Sequence, residues 1–296
     1  DCGELSDLEL VQRVRAEELD ILVECAGLFE GSRPAALTWR MAPVQVTWLG
    51  YPNTTGLPNM DVRLVDLETD PPGTESLATE RLERLVGGFL CWRSPHALPV
   101  PSRDATRPLT FGCFNAMSKF HSGLYALWAR VLAGVPGSRL LLKTAPLADP
   151  AIADLLREQF AEFGIGPERL EFRGHAVSQA DHLAMYGDVD IALDTFPYNG
   201  TTTTCEALWM GTPVVTVTGE GHPGRVGRAV LKIAGLDEWI AATPDEYVAR
   251  AIALATDRAA LACHHRTLRD RVERSPLCDA AGFARRFEDV LERLQA

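Results

Sequence analysis

The chain has 296 residues, 46% hydrophobic and 23% charged, enough for two ordinary domains or one large one with a substantial core. A formal net charge of −11 argues against a broad nucleic-acid surface, since grip on phosphate backbones needs an excess of Lys and Arg, but it leaves room for a small anionic ligand in one local pocket. No run approaches the roughly 20 apolar residues of a membrane span.

The chain opens at Asp1 without an initiator methionine, within an acidic helical stretch, and reads as part of a longer protein. Three apolar runs follow, "DILVECAG" (20–27), "VQVTWLGY" (44–51) and "MDVRLVD" (60–66), with the look of buried strands. A Pro- and Ser-rich stretch, "RSPHALPVPSRDATRP" (93–108), interrupts the pattern and is the candidate linker between a first lobe over 1–104 and a second over 105–296.

Beyond it, strands and helices alternate regularly. "LTFGCFN", "SRLLLKT", "LEFRGHA", "DIALDTF" and "PVVTV" read as strands; "GLYALWARVLAGV", "AIADLLREQFAEFGI", "QADHLAMYGDV" and "TTCEALWMG" read as the helices between them. This β-α repeat predicts an α/β fold, a parallel sheet with helices on both faces. From "RVGRAVLKIAG" to the end the pattern is almost wholly helical. Ligands of such sheets bind beyond the carboxyl ends of the strands, which directs attention to the loops after Phe114, Leu142, Gly174, Leu193 and Val217.

The loop after Leu193 carries "PYNGTTTTCEALW". Gly200 permits a tight turn, and the threonines fall in the first turn of a helix, where free N–H groups and the helix dipole favour an anion. Thr203-x-x-Glu206 also matches a capping box, which needs no ligand. One capping threonine suffices for that, however, and four lower helix propensity. Lys119 and Lys143 both lie at strand ends on the same face of the sheet.

Seven cysteines (Cys2, Cys25, Cys91, Cys113, Cys205, Cys263 and Cys278) are scattered without a C-x-x-C pair, the pattern of reduced thiols in a cytoplasmic protein. Asp188-Val189-Asp190 matches a metal-holding D-x-D but precedes a strand instead of following one, and reads as a helix-to-strand turn. His264 and His265 have no carboxylate or cysteine at ligand spacing, so no metal is expected.

The strings "DTFPYNGTTTTCEALWMGTPVVT" and "APVQVTWLGYPNTTGLPNMDVRLVD", with "TFGCFNAMSKF" and "WARVLAGVPGSRLLLK", resemble the SPINDLY branch of the protein O-linked N-acetylglucosamine transferase family, glycosyltransferase family 41. The resemblance covers the chain from about residue 20 onward. It implies a GT-B fold with two Rossmann-like lobes, inversion at the sugar carbon, no required metal, a nucleotide sugar as donor and a protein Ser or Thr as acceptor. Carried over by position, Thr201, Thr202 and Thr203 hold the diphosphate and Glu206 bonds a ribose hydroxyl. His182 stacks on the base, and Asn115 and Gly200 complete the donor-binding set. Lys119, ending "FNxxxK", neutralises the leaving diphosphate and is the catalytic candidate. Leu49, Gly50 and Pro52 contact the sugar.

Three departures qualify the match. The tetratricopeptide repeats that the family carries are not in this chain and are expected in the full-length protein. The beginning of the first lobe, with a histidine-bearing segment, is missing as well. Gly27-Leu28-Phe29 stands where relatives read Gly-His-Thr, and Ala116 where some place Gln or Asn. The donor implied is UDP-N-acetylglucosamine, with GDP-fucose as the alternative; a non-catalytic nucleotide-sugar-binding or protein-interaction module is the reading from another class. No nucleic acid or membrane partner is expected.

Overall fold

A computed structural model of the chain describes residues 2–29, 31–96, 98–104 and 106–295. The chain divides into two units, and each is a parallel α/β layer structure.

The first unit comprises residues 1–91, 221–223 and 279–296. Helix α1 (Asp7–Ala16) opens with a reciprocal cap: the Ser6 hydroxyl accepts from the Glu9 N–H while the Glu9 carboxylate accepts from the Ser6 N–H. Strand β1 (Ile21–Glu24) follows, then helix α2 (Pro34–Leu37) and strands β2 (Val44–Thr47), β3 (Val62–Val65) and β4 (Arg81–Arg84), paired in parallel in the order β1-β2-β3-β4. Side chains alternate across this sheet. Ile21 and Val23 pack with Val46, Val62, Leu64, Phe283 and Val290, whereas Leu22 packs with Val11, Ala36, Leu37 and Met41.

The strands are shorter than the sequence reading. The apolar run 44–51 leaves the ladder at Thr47, and Leu49 turns the chain at φ 73°. All four residues of β1 are only half-buried, as an edge strand allows.

The second unit comprises residues 92–220 and 224–278. Its strands are β5 (Thr110–Cys113), β6 (Arg139–Lys143), β7 (Leu170–Arg173), β8 (Ile191–Leu193), β9 (Val214–Val217) and β10 (Ile240–Ala241), the last of which the sequence reading took as helical. Its helices are α3 (Ser122–Gly134), α4 (Pro150–Ala161), α5 (Gln179–Ala184), α6 (Thr202–Trp209), α7 (Val226–Ile233), α8 (Pro244–Thr256) and α9 (Arg258–Glu273). The apolar segment expected to be one helix over 179–189 is α5 followed by a 3-10 turn at Met185–Asp188.

The six strands are parallel and lie in the order β10-β9-β8-β5-β6-β7. The chain therefore starts in the middle at β5, winds outward to β7, then returns to place β8 on the other side of β5. That reversal is the topological switch of a doubly wound Rossmann-like sheet, and a crevice opens there beyond the strands' carboxyl ends. The core beneath holds Phe111, Trp128, Leu140, Leu142, Phe160 and Ile191, all fully buried. Trp128 Nε1 donates to Tyr247 Oη at 3.1 Å, and that hydroxyl donates to the Asp194 carbonyl at 3.0 Å.

The lobe boundary differs from the sequence reading in two places. The division falls after Cys91, not at 104, and helix α10 (Ala280–Gln295) belongs to the first unit, where Phe283 and Phe287 pack on Trp48. The expected linker 93–108, of which Ala97 and Ala105 lie outside the described residues, is tied to the second unit. The Arg103 guanidinium donates to the Val189 and Met210 carbonyls and the Thr212 hydroxyl, and Arg107 forms a two-pronged ion pair with Asp190.

Candidate active site

Two strand ends flank the switch point. Strand β5 delivers Phe114 and Asn115, and the 3-10 turn Met117–Lys119 brings the Lys119 side chain back over Asn115. Strand β8 delivers Asp194 and the loop to Gly200, after which α6 begins with Thr201 at its N-cap.

Hydrogen bonds join the two ends. Lys119 Nζ donates to the Asn199 carbonyl at 2.7 Å and reaches Asn115 Oδ1 at 3.4 Å, while lying 3.9 Å from the centre of the Tyr198 ring. The Thr203 hydroxyl donates to the same Asn115 oxygen at 2.9 Å. A Cβ at Gly200 would collide with that hydroxyl, so the close approach of loop and helix requires glycine.

Asp194, which the sequence reading did not single out, anchors the arrangement. Fully buried, its carboxylate accepts from the Gly200 and Thr195 N–H groups at 2.7 and 2.9 Å, from the Thr216 hydroxyl at 2.7 Å and from the Asn115 amide at 3.4 Å. Burial pushes its pKa up to about 6, against the pull of those donors and of Lys119. Burial also lowers the Lys119 pKa, opposed by the Asp194 charge. An acid closing an apolar strand just before a glycine loop is the signal from which it could have been found.

The threonine run forms no capping box, and only its last member, Thr204, is packed away. Thr201, at the N-cap, makes no side-chain cap bond, and Glu206 lies beyond the first turn of α6. The Thr203 hydroxyl goes to Asn115 and Glu206 goes elsewhere, so the Thr203-x-x-Glu206 box does not form. Thr204 returns its hydroxyl to the Gly200 carbonyl. Thr202 is exposed and Thr201 and Thr203 are half-buried. The first-turn N–H groups of α6, which have no partner within a helix, open beside them.

A second cluster adjoins it. His182, from α5, is buried with Nε2 2.9 Å from Glu206 Oε2, and the other Glu206 oxygen accepts from Gln179 at 2.7 Å. Lys143, at the end of β6, meets His182 Nδ1 at 2.6 Å. The Phe114 and Tyr186 rings pack on the imidazole.

With this geometry in place the comparisons with known proteins can be read. The model of Glycosyl transferase family 41 matches residues 6–100 and 93–287. The chain belongs to that family. It is similar to a Solanum lycopersicum protein named probable UDP-N-acetylglucosamine–peptide N-acetylglucosaminyltransferase SPINDLY, at 40% identity over 289 residues, which cover 97% of this chain and 31% of that protein. Among solved structures it is similar to a mutant O-GlcNAc transferase of Thermobaculum terrenum, with a TM-score of 0.92 and 38% identity over 98% of this chain and 56% of that one. A likeness in fold alone extends to Anabaena HepE in complex with UDP and glucose, with a TM-score of 0.59 and 11% identity over 99% of this chain and 83% of that one. The two parallel sheets and these neighbours make the fold GT-B-like. The chain spans about a third of the length of its SPINDLY relative.

Other residues of this family 41 chain sort by place. Leu49, Gly50 and Pro52 lie in the first unit, just past the carboxyl end of β2. A Cβ at Gly50 would run into the Cys25 carbonyl, so the turn holds only with glycine. Leu28 and Phe29 are exposed, and Phe29 packs edge-on to Tyr51. The Asp188 and Asp190 carboxylates are held by Arg173 and Arg107 at the amino end of β8. His265 bonds the Asp190 carbonyl, and His264 packs on Trp239. Among the described residues no group of three or more His, Cys, Asp or Glu gathers at metal-holding distance, and no helix is long and apolar enough to cross a membrane.

Proposed function

We propose that the protein is an inverting glycosyltransferase that moves N-acetylglucosamine from UDP to Ser or Thr hydroxyls of protein acceptors. The observation that carries the reading is the convergence, at the switch point of the second sheet, of the Lys119 ammonium, the threonine hydroxyls and the N-terminus of α6. The SPINDLY and O-GlcNAc transferase names of the relatives support the sugar and the peptide acceptor.

In this reading an acceptor hydroxyl attacks the anomeric carbon from the face opposite the leaving group. The bond from that carbon to the diphosphate oxygen breaks, and negative charge grows on the nucleoside diphosphate. A donor already in place for that charge lowers the barrier without reorganising at the moment of reaction. Lys119 and the amides and hydroxyls of Thr201 to Thr203 are such donors, supplying the charge compensation that a divalent ion supplies in other transferases. Glu206 accepts from a ribose hydroxyl, His182 lies against the base, and Asn115 and Gly200 fix the distance between lysine and threonines. For Leu49, Gly50 and Pro52 the sugar contact rests on the family resemblance alone.

The acceptor is recruited by tetratricopeptide repeats of the longer protein. The cysteines, none of them in a disulfide among the described residues, fit a reducing compartment, the cytoplasm.

The test is titration calorimetry against UDP, GDP, UDP-N-acetylglucosamine and GDP-fucose. Preference for the uridine pair is the expected result. Preference for the guanosine pair overturns the donor in favour of fucose, and absence of binding to all four overturns the donor site itself.

A further inference from the structure

His182 has two ring nitrogens, and protein groups take both. Nδ1 lies 2.6 Å from Lys143 Nζ, and Nε2 lies 2.9 Å from Glu206 Oε2. An ammonium only donates and a carboxylate only accepts. Nδ1 is therefore an acceptor without a proton, and Nε2 carries the hydrogen. The three side chains form a line of positive, neutral and negative groups, and all three residues are buried. Gln179 holds the far oxygen of Glu206, and the Phe114 and Tyr186 rings, centred 5.8 and 5.7 Å away, restrain the imidazole plane. Both ring nitrogens are taken by protein groups, so a ligand beside His182 is left with the ring carbons and their π surface to touch.

We propose that Lys143 is the positioning residue of the nucleobase subsite: it holds His182 in the Nε2–H tautomer, so that the imidazole serves a base as a stacking surface and not as a hydrogen-bonding reader. The inference rests on the donor-site reading above. Every base has a π face, so a platform of this kind grips without choosing, and discrimination between uracil and guanine falls to other groups. The same lysine keeps the Nε2 hydrogen on Glu206, which fixes that carboxylate for its ribose partner. Lys143 comes from β6, His182 from α5 and Glu206 from α6, so the device exists only when the second sheet is assembled.

The experiment compares the protein with its Lys143→Met and Lys143→Arg variants by long-range nitrogen-15 spectra of the His182 ring and by calorimetry with UDP and GDP. Methionine keeps the stem but leaves the buried Glu206 carboxylate without the nearby ammonium, so Lys143→Met is expected to melt lower than the wild type, and binding is measured below its transition; Lys143→Arg keeps the charge and should melt close to the wild type. The wild type is expected to show a bare Nδ1 and a protonated Nε2. In Lys143→Met that signature is lost and affinity for both nucleotides falls about tenfold, as expected for a disordered stacking partner. Arginine, which also only donates, restores the tautomer and brings both affinities to within about threefold of wild type. An unchanged His182 spectrum in Lys143→Met overturns the inference, as does a changed spectrum with unchanged affinities. If the wild type shows the tautomer but binds neither nucleotide, the donor-site reading fails instead, and the spectra still decide whether Lys143 sets the ring.

Discussion

Replacing Lys119 with methionine isolates one ammonium. Its nitrogen donates to the Asn199 carbonyl and lies near Asn115 Oδ1 and the Tyr198 ring, while the stem packs alongside. In the free protein the substitution removes a hydrogen bond and a cation–π contact, each worth about 1 kcal/mol. It also removes a charge whose burial is unfavourable, as the lowered pKa of Lys119 records. These effects oppose each other, so the net change in stability stays within about 1 kcal/mol, or roughly 3 °C in melting temperature for a chain of this size.

The bound state is different. A charge-assisted hydrogen bond to a phosphate oxygen contributes about 1.5–3 kcal/mol, so the diphosphate should bind roughly 10- to 150-fold more weakly. Because charge grows on the leaving group, donor turnover should fall further, by about 10²- to 10³-fold. Calorimetry with UDP and with uridine separates the phosphate from the base: uridine affinity should not move. Equal losses for uridine and UDP, or a melting temperature lower by 10 °C or more, would refute the assignment, because Lys119 would then be holding the loop and not the ligand.

Three further outcomes are expected. Thr202→Val removes an exposed hydroxyl beside the start of α6 and should weaken UDP binding about 3- to 10-fold without altering the melt, in line with one neutral hydrogen bond; an unchanged affinity removes Thr202 from the phosphate seat. The His265 pKa is lowered to about 4, first by burial and then by Arg103, so its folded value lies below its unfolded value of 6.5. Its contribution to stability is complete above pH 6.5 and disappears as pH falls through 4, a total of about 3 kcal/mol. Asp194, raised to about 6 from 3.8, acts with the opposite sign: its contribution is present below 3.8 and lost as pH rises through 6. His265→Gln removes one of the groups whose stabilisation is lost on acidification, alongside His222, Asp61, Asp70 and Glu80, so the denaturant midpoint should fall less between pH 6.5 and 4 in the variant than in the wild type; a midpoint that falls in the variant as steeply as before contradicts the account. Gly50→Ala drives a methyl into the Cys25 carbonyl and should lower stability by about 2 kcal/mol or more, read as a lower denaturant midpoint, with UDP affinity unchanged.

Much of this protein was legible in one dimension. Apolar runs separated by helical periods announce a parallel α/β sheet, because each crossover needs a covering helix, and the strands from β5 to β9 lie where those runs predict them. The threonine run marks a helix start because four poor helix formers after a glycine make little sense inside one, and α6 begins at Thr202. Lys119 and the threonines were visible through local motifs that the fold brings onto one strand-end face.

Pairing across the sheet was not legible. Nothing local says that β8 returns to the flank of β5, yet that crossing brings Asn115 to Asp194, and Lys119 to Asn199, across about 80 residues. Nor does an amphipathic stripe name its partner: α10 satisfies its apolar face against β2 and β3 of the first unit, where the sequence had left it with the second. His182 invites a ligand in the sequence, but only the assembled sheet delivers Lys143 and Glu206 to its two nitrogens, from 39 and 24 residues away. Local order follows from the preferences of neighbouring residues, whereas the partner of a buried polar atom depends on which distant strand the chain sets beside it.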